Sequence, residues 1–231
     1  MNRGGTFPAM RRLTRISVLL SVAISTMAVA SVALKADQTN QAALTSSLDV
    51  LRRAANPNPT LQSYTASAAL SATLHSTVPV SETFNGTVYY LRPKRKITFE
   101  NVPAPLTKFK DLTATTPTYE QAVAEYTITP MLDDGTVSTY LLVPKEPGAR
   151  VTKLIVSVDD KAALIVRAVW TYSDGGTLCF DQTYQNVGVF HVPNSDVISA
   201  RFPGYHVDGT IRFSHYQPNA PVDPSIFRKS P

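Results

Sequence analysis

Cys179 is the only cysteine in the 231-residue chain. No disulfide can close within the chain, and no cysteine follows the apolar N-terminal run to carry a lipid. Cys179 itself reads as a small, half-buried strand residue. Catalytic signatures are missing too. There is no G-x-S-x-G elbow and no H-E-x-x-H pair, and His75, His191, His206 and His215 are scattered over strand-like segments. Asp133-Asp134 and Asp159-Asp160 fall in turns, where aspartate bonds its own backbone. His206 and Asp208 sit two apart on a polar face and could meet each other or a metal; a solvated strand face explains them as well. The expectation is a protein without catalysis, cofactor or metal.

An excess of charge is also missing once its position is considered. The formal charge is +5, but Arg3, Arg11, Arg12, Arg15 and Lys35 precede every anion. Beyond residue 36 the chain holds 17 cations and 17 anions. A nucleic-acid surface needs a concentrated basic face, so that class is excluded. The basic start leads into Ile16–Leu34, ISVLLSVAISTMAVASVAL, with Ala28-Val29-Ala30 as an A-x-A cleavage site. Residues 1–30 read as a signal peptide or as an uncleaved anchor, and the protein is exported to the periplasm or secreted in either case.

Hydrophobic residues make up 43% of the chain and charged residues 17%, enough to bury a core. In Asn40–Ala55, Leu44, Leu48, Leu51 and Ala55 recur at helical spacing until Asn56-Pro-Asn-Pro59 stops the helix. The period then changes from 3.6 to 2. Tyr64, Ala66, Ala68, Leu70, Ala72 and Leu74 alternate with polar residues, and further strands follow at 82–91, 97–100, 126–129, 137–144, 151–158, 164–172, 178–184, 187–192, 197–202 and 205–216. Val102–Tyr126 is proline-punctuated, with a short amphipathic piece (Leu106, Phe109, Leu112) and a helix at Thr118–Ala124. About ten antiparallel strands with few helices describe one strongly curved sheet spanning a single domain, 37–227, with 228–231 a frayed tail. Helix 40–55 and segment 102–125 are expected to cover its apolar side.

The stretch AVWTYSDGGTLCFDQTY, Ala168–Tyr184, concentrates aromatics around a turn signal. A three-residue loop at Asp174-Gly175-Gly176 sets Tyr172 opposite Leu178 and Trp170 opposite Phe180, all on one face. The other face carries Thr171, Ser173, Thr177, Cys179, Asp181 and Thr183.

Two stretches resemble a known family. NGTVYYLRPKRKITF, Asn85–Phe99, is similar to the strand–Arg-Pro–strand signature of the LolA-like periplasmic carriers of outer-membrane lipoproteins. YLLVPK and VTKLIVSVDDKAALIVRAVWTYSDGG resemble their later hairpins, in the same order over roughly 80–216. One departure stands out: the D-G-x-x-L-W turn that follows the Arg-Pro strand in the carriers is replaced by ENVPAPLTKFKDLTATTPTYEQAVAEY, so the lid region is rebuilt.

The resemblance implies a mainly β (α+β) fold: an antiparallel half-barrel with a helical lid over an apolar groove that holds a long acyl chain, a lipid or a lipoprotein. Candidate groove residues are Val88, Tyr90, Phe99, Trp170, Tyr172, Leu178, Phe180, Ile211 and Phe213, and Arg92 takes the place of the family's lid latch. The basic run Arg92-Pro-Lys-Arg-Lys96 also fits a solvated strand end or a docking point for an anionic membrane or partner. The function expected is transport or binding of lipid or lipidated protein by a monomer. The alternative is an extracytoplasmic sensor or interaction module of envelope-stress or sigma-factor signalling, with a membrane-protein partner.

Overall fold

The computed structural model describes residues 48–75, 79–102, 111–115 and 117–228. The expected signal segment lies outside them. Eleven strands form one antiparallel sheet: β1 (Ser63–His75), β2 (Val80–Leu91), β3 (Lys94–Phe99), β4 (Asp111–Thr115), β5 (Tyr126–Asp133), β6 (Val137–Pro144), β7 (Val151–Asp159), β8 (Leu164–Tyr172), β9 (Thr177–Val187), β10 (Phe190–Phe202) and β11 (Tyr205–Pro218). Their spatial order is β4-β3-β2-β1-β11-β10-β9-β8-β7-β6-β5. Every neighbour is also consecutive in sequence except the β1–β11 pair.

That order forces curvature. The two edge strands, β4 and β5, are joined by only residues 116–125. Ten inter-strand gaps of about 4.8 Å would set them roughly 48 Å apart in a flat sheet. A connection containing the helix α2 (Tyr119–Glu125) reaches about 30 Å at most. The sheet therefore curls into an open half-barrel. Thr118 caps α2 reciprocally with Gln121, which fixes where the helix begins.

Of segment 102–125, expected from the sequence to cover the sheet, residues 103–110 and 116 lie outside the described residues, and 111–115 belong to the sheet itself. Asp111–Thr115 is an edge strand paired with β3, Thr98 opposite Asp111 and Lys94 opposite Thr115. Two threonines in DLTAT favour strand, and a spacing of 106, 109 and 112 is too short to establish a helical period. Of the strands expected at 187–192 and 197–202, residues 190–192 and 197–202 belong to one strand, β10, while Val187 ends β9. A bulge between Pro193 and Ser195 absorbs the proline and lets pairing with β9 continue.

The central hairpin closes one residue earlier than expected, on Ser173-Asp174-Gly175. The Tyr172 N–H donates to the Gly176 carbonyl (2.9 Å), the Gly175 N–H donates to Tyr172 (3.1 Å), and Gly175 takes a φ of 81°. Trp170 then opposes Leu178, and Phe180 opposes Ala168. The register moves by two residues in total, so every side chain keeps its face.

The inner face carries two separate cores. The first lies on β1, β2, β3, β10 and β11, around Tyr64, Val88, Ile97, Phe99, Ile211 and Phe213. Small residues on its central strands make room for rings. A Cβ on Gly86 would come within 2.4 Å of the Thr98 carbonyl and 2.9 Å of the Phe99 ring. The second core lies on β6 and β7, where Tyr140, Leu142, Val156 and Val158 are sealed by Leu51 and Ala54 of helix α1 (residues 48–54). The amphipathic spacing read in 40–55 therefore does cover the sheet over these residues.

Candidate functional site

Between the two cores, β8, β9 and β10 present an apolar strip that neither core closes. Trp170 packs edge-on to Phe180 (centroids 5.6 Å), with Leu178 beside it and Ile198 on the neighbouring strand; all four are half-buried. At the hairpin end, Tyr172 meets Phe202 (5.1 Å), Phe202 stacks on Tyr205 (5.2 Å), and the Arg150 guanidinium lies 5.6 Å over the Tyr172 ring. Phe202 also lies against Gly176, where a Cβ would come within 2.2 Å of its ring.

The nine candidate groove residues separate into two groups. Val88, Phe99, Ile211 and Phe213 fill the first core and are at most 4% exposed. Tyr90, Trp170, Tyr172, Leu178 and Phe180 are half-buried. Tyr90 stacks on Tyr64 (4.9 Å) at the edge of the first core; Trp170, Leu178 and Phe180 lie in the strip, and Tyr172 lies at its hairpin end. Arg92 donates from its guanidinium to the carbonyl of Asn58, in the chain that follows α1. Asn58 in turn is bonded to His191 through its amide (2.6 Å) and its side-chain carbonyl (2.9 Å), so that connection is tied to β2 and β10 together.

A polar cluster that the sequence reading passed over adjoins the strip. Arg95 and Asp196 both point inward. Arg95 is in phase with Ile97 and Phe99 on β3, and Asp196 with Ile198 and Ala200 on β10. A charged residue in the apolar phase of a strand is the signal that would have found them. Their nearest atoms are 3.8 Å apart, with Asp196 1% exposed and Arg95 25%. Gln182 donates to the Asp196 carboxylate, and the Tyr184 hydroxyl bonds Gln182 (2.5 Å) and the Ile165 carbonyl (2.8 Å). Tyr216, turned inward by a bulge in β11 where His215 takes a φ of 53°, donates to the Pro193 carbonyl (2.6 Å).

Burial pushes the Asp196 carboxyl up from its ordinary value, and the Arg95 guanidinium counters it only in part. Burial works against the Arg95 charge as well, yet Tyr64, Asp196 and Tyr216 together keep it firmly protonated. The phenols of Tyr184, Tyr216 and Tyr64 are all raised, chiefly by burial. Among the described residues, Oδ2 of Asp196 has no hydrogen-bond partner, and leaving a buried acceptor unmatched costs about 1–3 kcal/mol. Phe180 and Gln182 are two apart on β9, so the apolar strip and the polar cluster meet within about 7 Å.

No protein-family model and no curated protein sequence matches the chain. Solved structures do. A protein described as an outer membrane lipoprotein-sorting domain, from Vibrio parahaemolyticus, superposes with a TM-score of 0.54 at 10% identity, covering 78% of this chain and 95% of that one. A DUF1329 family protein from Desulfovibrio piger gives 0.50 at 12% identity, covering 80% and 96%. A LolA superfamily protein from Nitrosomonas europaea gives 0.46 at 8% identity, covering 78% and 96%. Identities this low establish a shared fold and nothing finer. The fold is LolA-like, an open antiparallel half-barrel.

Proposed function

We propose that this protein is an exported, non-catalytic carrier or binder of lipid or lipidated protein, with a long acyl chain lying along the strip of Trp170, Leu178, Phe180 and Ile198. One observation carries the reading: large apolar side chains remain half-buried on the inner face, between two regions where the same face is fully closed. The polar cluster at its end suits the head of an amphiphile. Asp196 Oδ2 faces Arg95 at 3.8 Å without a hydrogen bond, and Arg95 is a partly exposed cation. Arg92 holds the chain after α1 in place and so acts as the latch of this cover.

Magnitude sets the ligand class. Each methylene buried contributes about 0.8 kcal/mol, whereas association costs about 4–15 kcal/mol. A short apolar ligand barely breaks even, so chains of roughly ten or more carbons are required. Export rests on the basic and apolar N-terminal segment. Among the described residues no helix is long and apolar enough to cross a membrane.

Native mass spectrometry of protein purified from its host tests the reading. Lipid-sized adducts are expected, reduced in Phe180→Ser and altered in their release by Arg92→Leu. Protein that arrives free of lipid, takes up no added fatty acid and captures one membrane protein instead points to the sensor reading.

A further inference from the structure

The outer, convex face holds a cluster that the lipid reading does not use. His75 at the end of β1 pairs directly with His206 on β11, and the two imidazoles stack at 4.4 Å with 21° between their planes. Asp208, two residues further along β11, lies opposite Thr73 and shares the outer face with both histidines. Nε2 of His75 is 3.0 Å from Asp208 Oδ2, and Nε2 of His206 is 3.1 Å from the same oxygen. Each residue offers one ligand atom, and the three atoms lie within 4.8 Å of one another.

We propose that His75, His206 and Asp208 form a binding site for one divalent transition-metal ion of the zinc class. A tetrahedral zinc with ligands near 2.05 Å has ligand–ligand edges of about 3.4 Å. Two of the three edges are already within a few tenths of an ångström of that value, and the third is at most 4.8 Å. Neutral imidazole carries its single proton on either ring nitrogen, so loading Nε2 leaves the proton on Nδ1 and requires no net charge change. Ser199 stands opposite Asp208 on the neighbouring strand, a position from which a hydroxyl can support a metal-ligating carboxylate. All three side chains are between about a third and a half exposed, and Ser71, Thr73 and Thr210 line an open depression beside Asp208. The fourth position is therefore open to water.

The location gives the ion a purpose. β1 and β11 form the one neighbouring pair that is not consecutive in sequence. His75 and Asp208 are 133 positions apart, so a bound ion staples the N-terminal hairpin to the last strand across the longest loop of the sheet. Their side chains lie opposite the face of the acyl strip, so the site is independent of the proposed cargo.

The test is titration of zinc chloride into the purified full chain, stripped beforehand with a chelator. One equivalent is expected to bind at micromolar concentration. At a hundredfold excess over Kd, Tm should rise by about 5–10 °C. His75→Ala and His206→Ala should each weaken binding at least about tenfold and remove the rise, while His191→Ala, away from the cluster, should change neither. A readout free of variants accompanies this: zinc should perturb two of the four imidazoles in the wild-type NMR spectrum. The absence of saturable binding up to about 1 mM zinc overturns the proposal. So does binding that survives both substitutions, or perturbation confined to His191 or His215.

Discussion

The two cores on the inner face are closed by opposite means. The first is filled from within the sheet, where Ala66, Ala68 and Gly86 leave space that Phe84, Phe99 and Phe213 occupy. It also borders the one carboxylate that is buried among the described residues, Asp196. The second has a single fully buried ring on its strands, Tyr140, and borrows Leu51 and Ala54 from α1 to exclude water. A self-filled core is rigid by construction. A core closed by a short helix on a proline-bearing connection can open by moving that helix alone. The strip of Trp170, Leu178 and Phe180 lies between them, so displacement of α1 widens the space available on one side only.

The sharpest way to break this contrast is through Arg95. The Asp196 pKa is raised in the folded state above its ordinary 3.8, so its contribution to stability is present in full below that value and is lost as pH rises through the folded pKa. Arg95 limits the loss. Arg95→Ala should therefore cost about 3–5 kcal/mol where Asp196 is ionised, and progressively less as pH falls towards its ordinary 3.8, read from urea unfolding. Replacing both partners, Arg95→Met with Asp196→Leu, should come out near neutral or stabilising by about 1–4 kcal/mol. A pH-independent penalty would mean that the pair is not buried as described.

Next come the apolar deletions. Phe99→Ala, in the self-filled core, should cost about 3–5 kcal/mol, because the surrounding strands cannot collapse into the cavity. Leu51→Ala should cost nearer 2 kcal/mol, since α1 can settle onto the sheet, and faster amide exchange should be confined to α1, β6 and β7. Equal losses with global exchange in both variants would erase the distinction between the cores. The smallest stability effect belongs to the strip. Phe180→Ala should change stability by no more than about 1 kcal/mol, yet lower affinity for a long-chain fatty acid about tenfold or more, measured by displacement of a fluorescent analogue.

Much of this architecture was legible in the alternation of the sequence. β6 and β8 begin and end where the period-2 pattern does, and the facing of Trp170, Leu178 and Phe180 survived a misplaced turn because the error was an even number of residues. What escaped was set by pairing between distant segments. Asp111–Thr115 becomes a strand because β3 offers it an open edge, which no local period records. Tyr216 turns inward because of a bulge against β1. His75 joins His206 and Asp208 only through the β1–β11 register, so the sequence showed two of the three residues. Arg95 was masked by the basic run around it, although its phase with Ile97 and Phe99 was there to read.

Trp170 is the only tryptophan in the chain and stands in the strip itself, so its fluorescence reports directly on what lies there. Titrating the protein with a fatty acid brominated along its chain should quench that emission saturably below the micelle concentration, and an unbrominated acid of equal length should reverse the effect by competition. Emission that stays unquenched while the same acid binds elsewhere, or does not bind at all, contradicts an acyl chain on the strip.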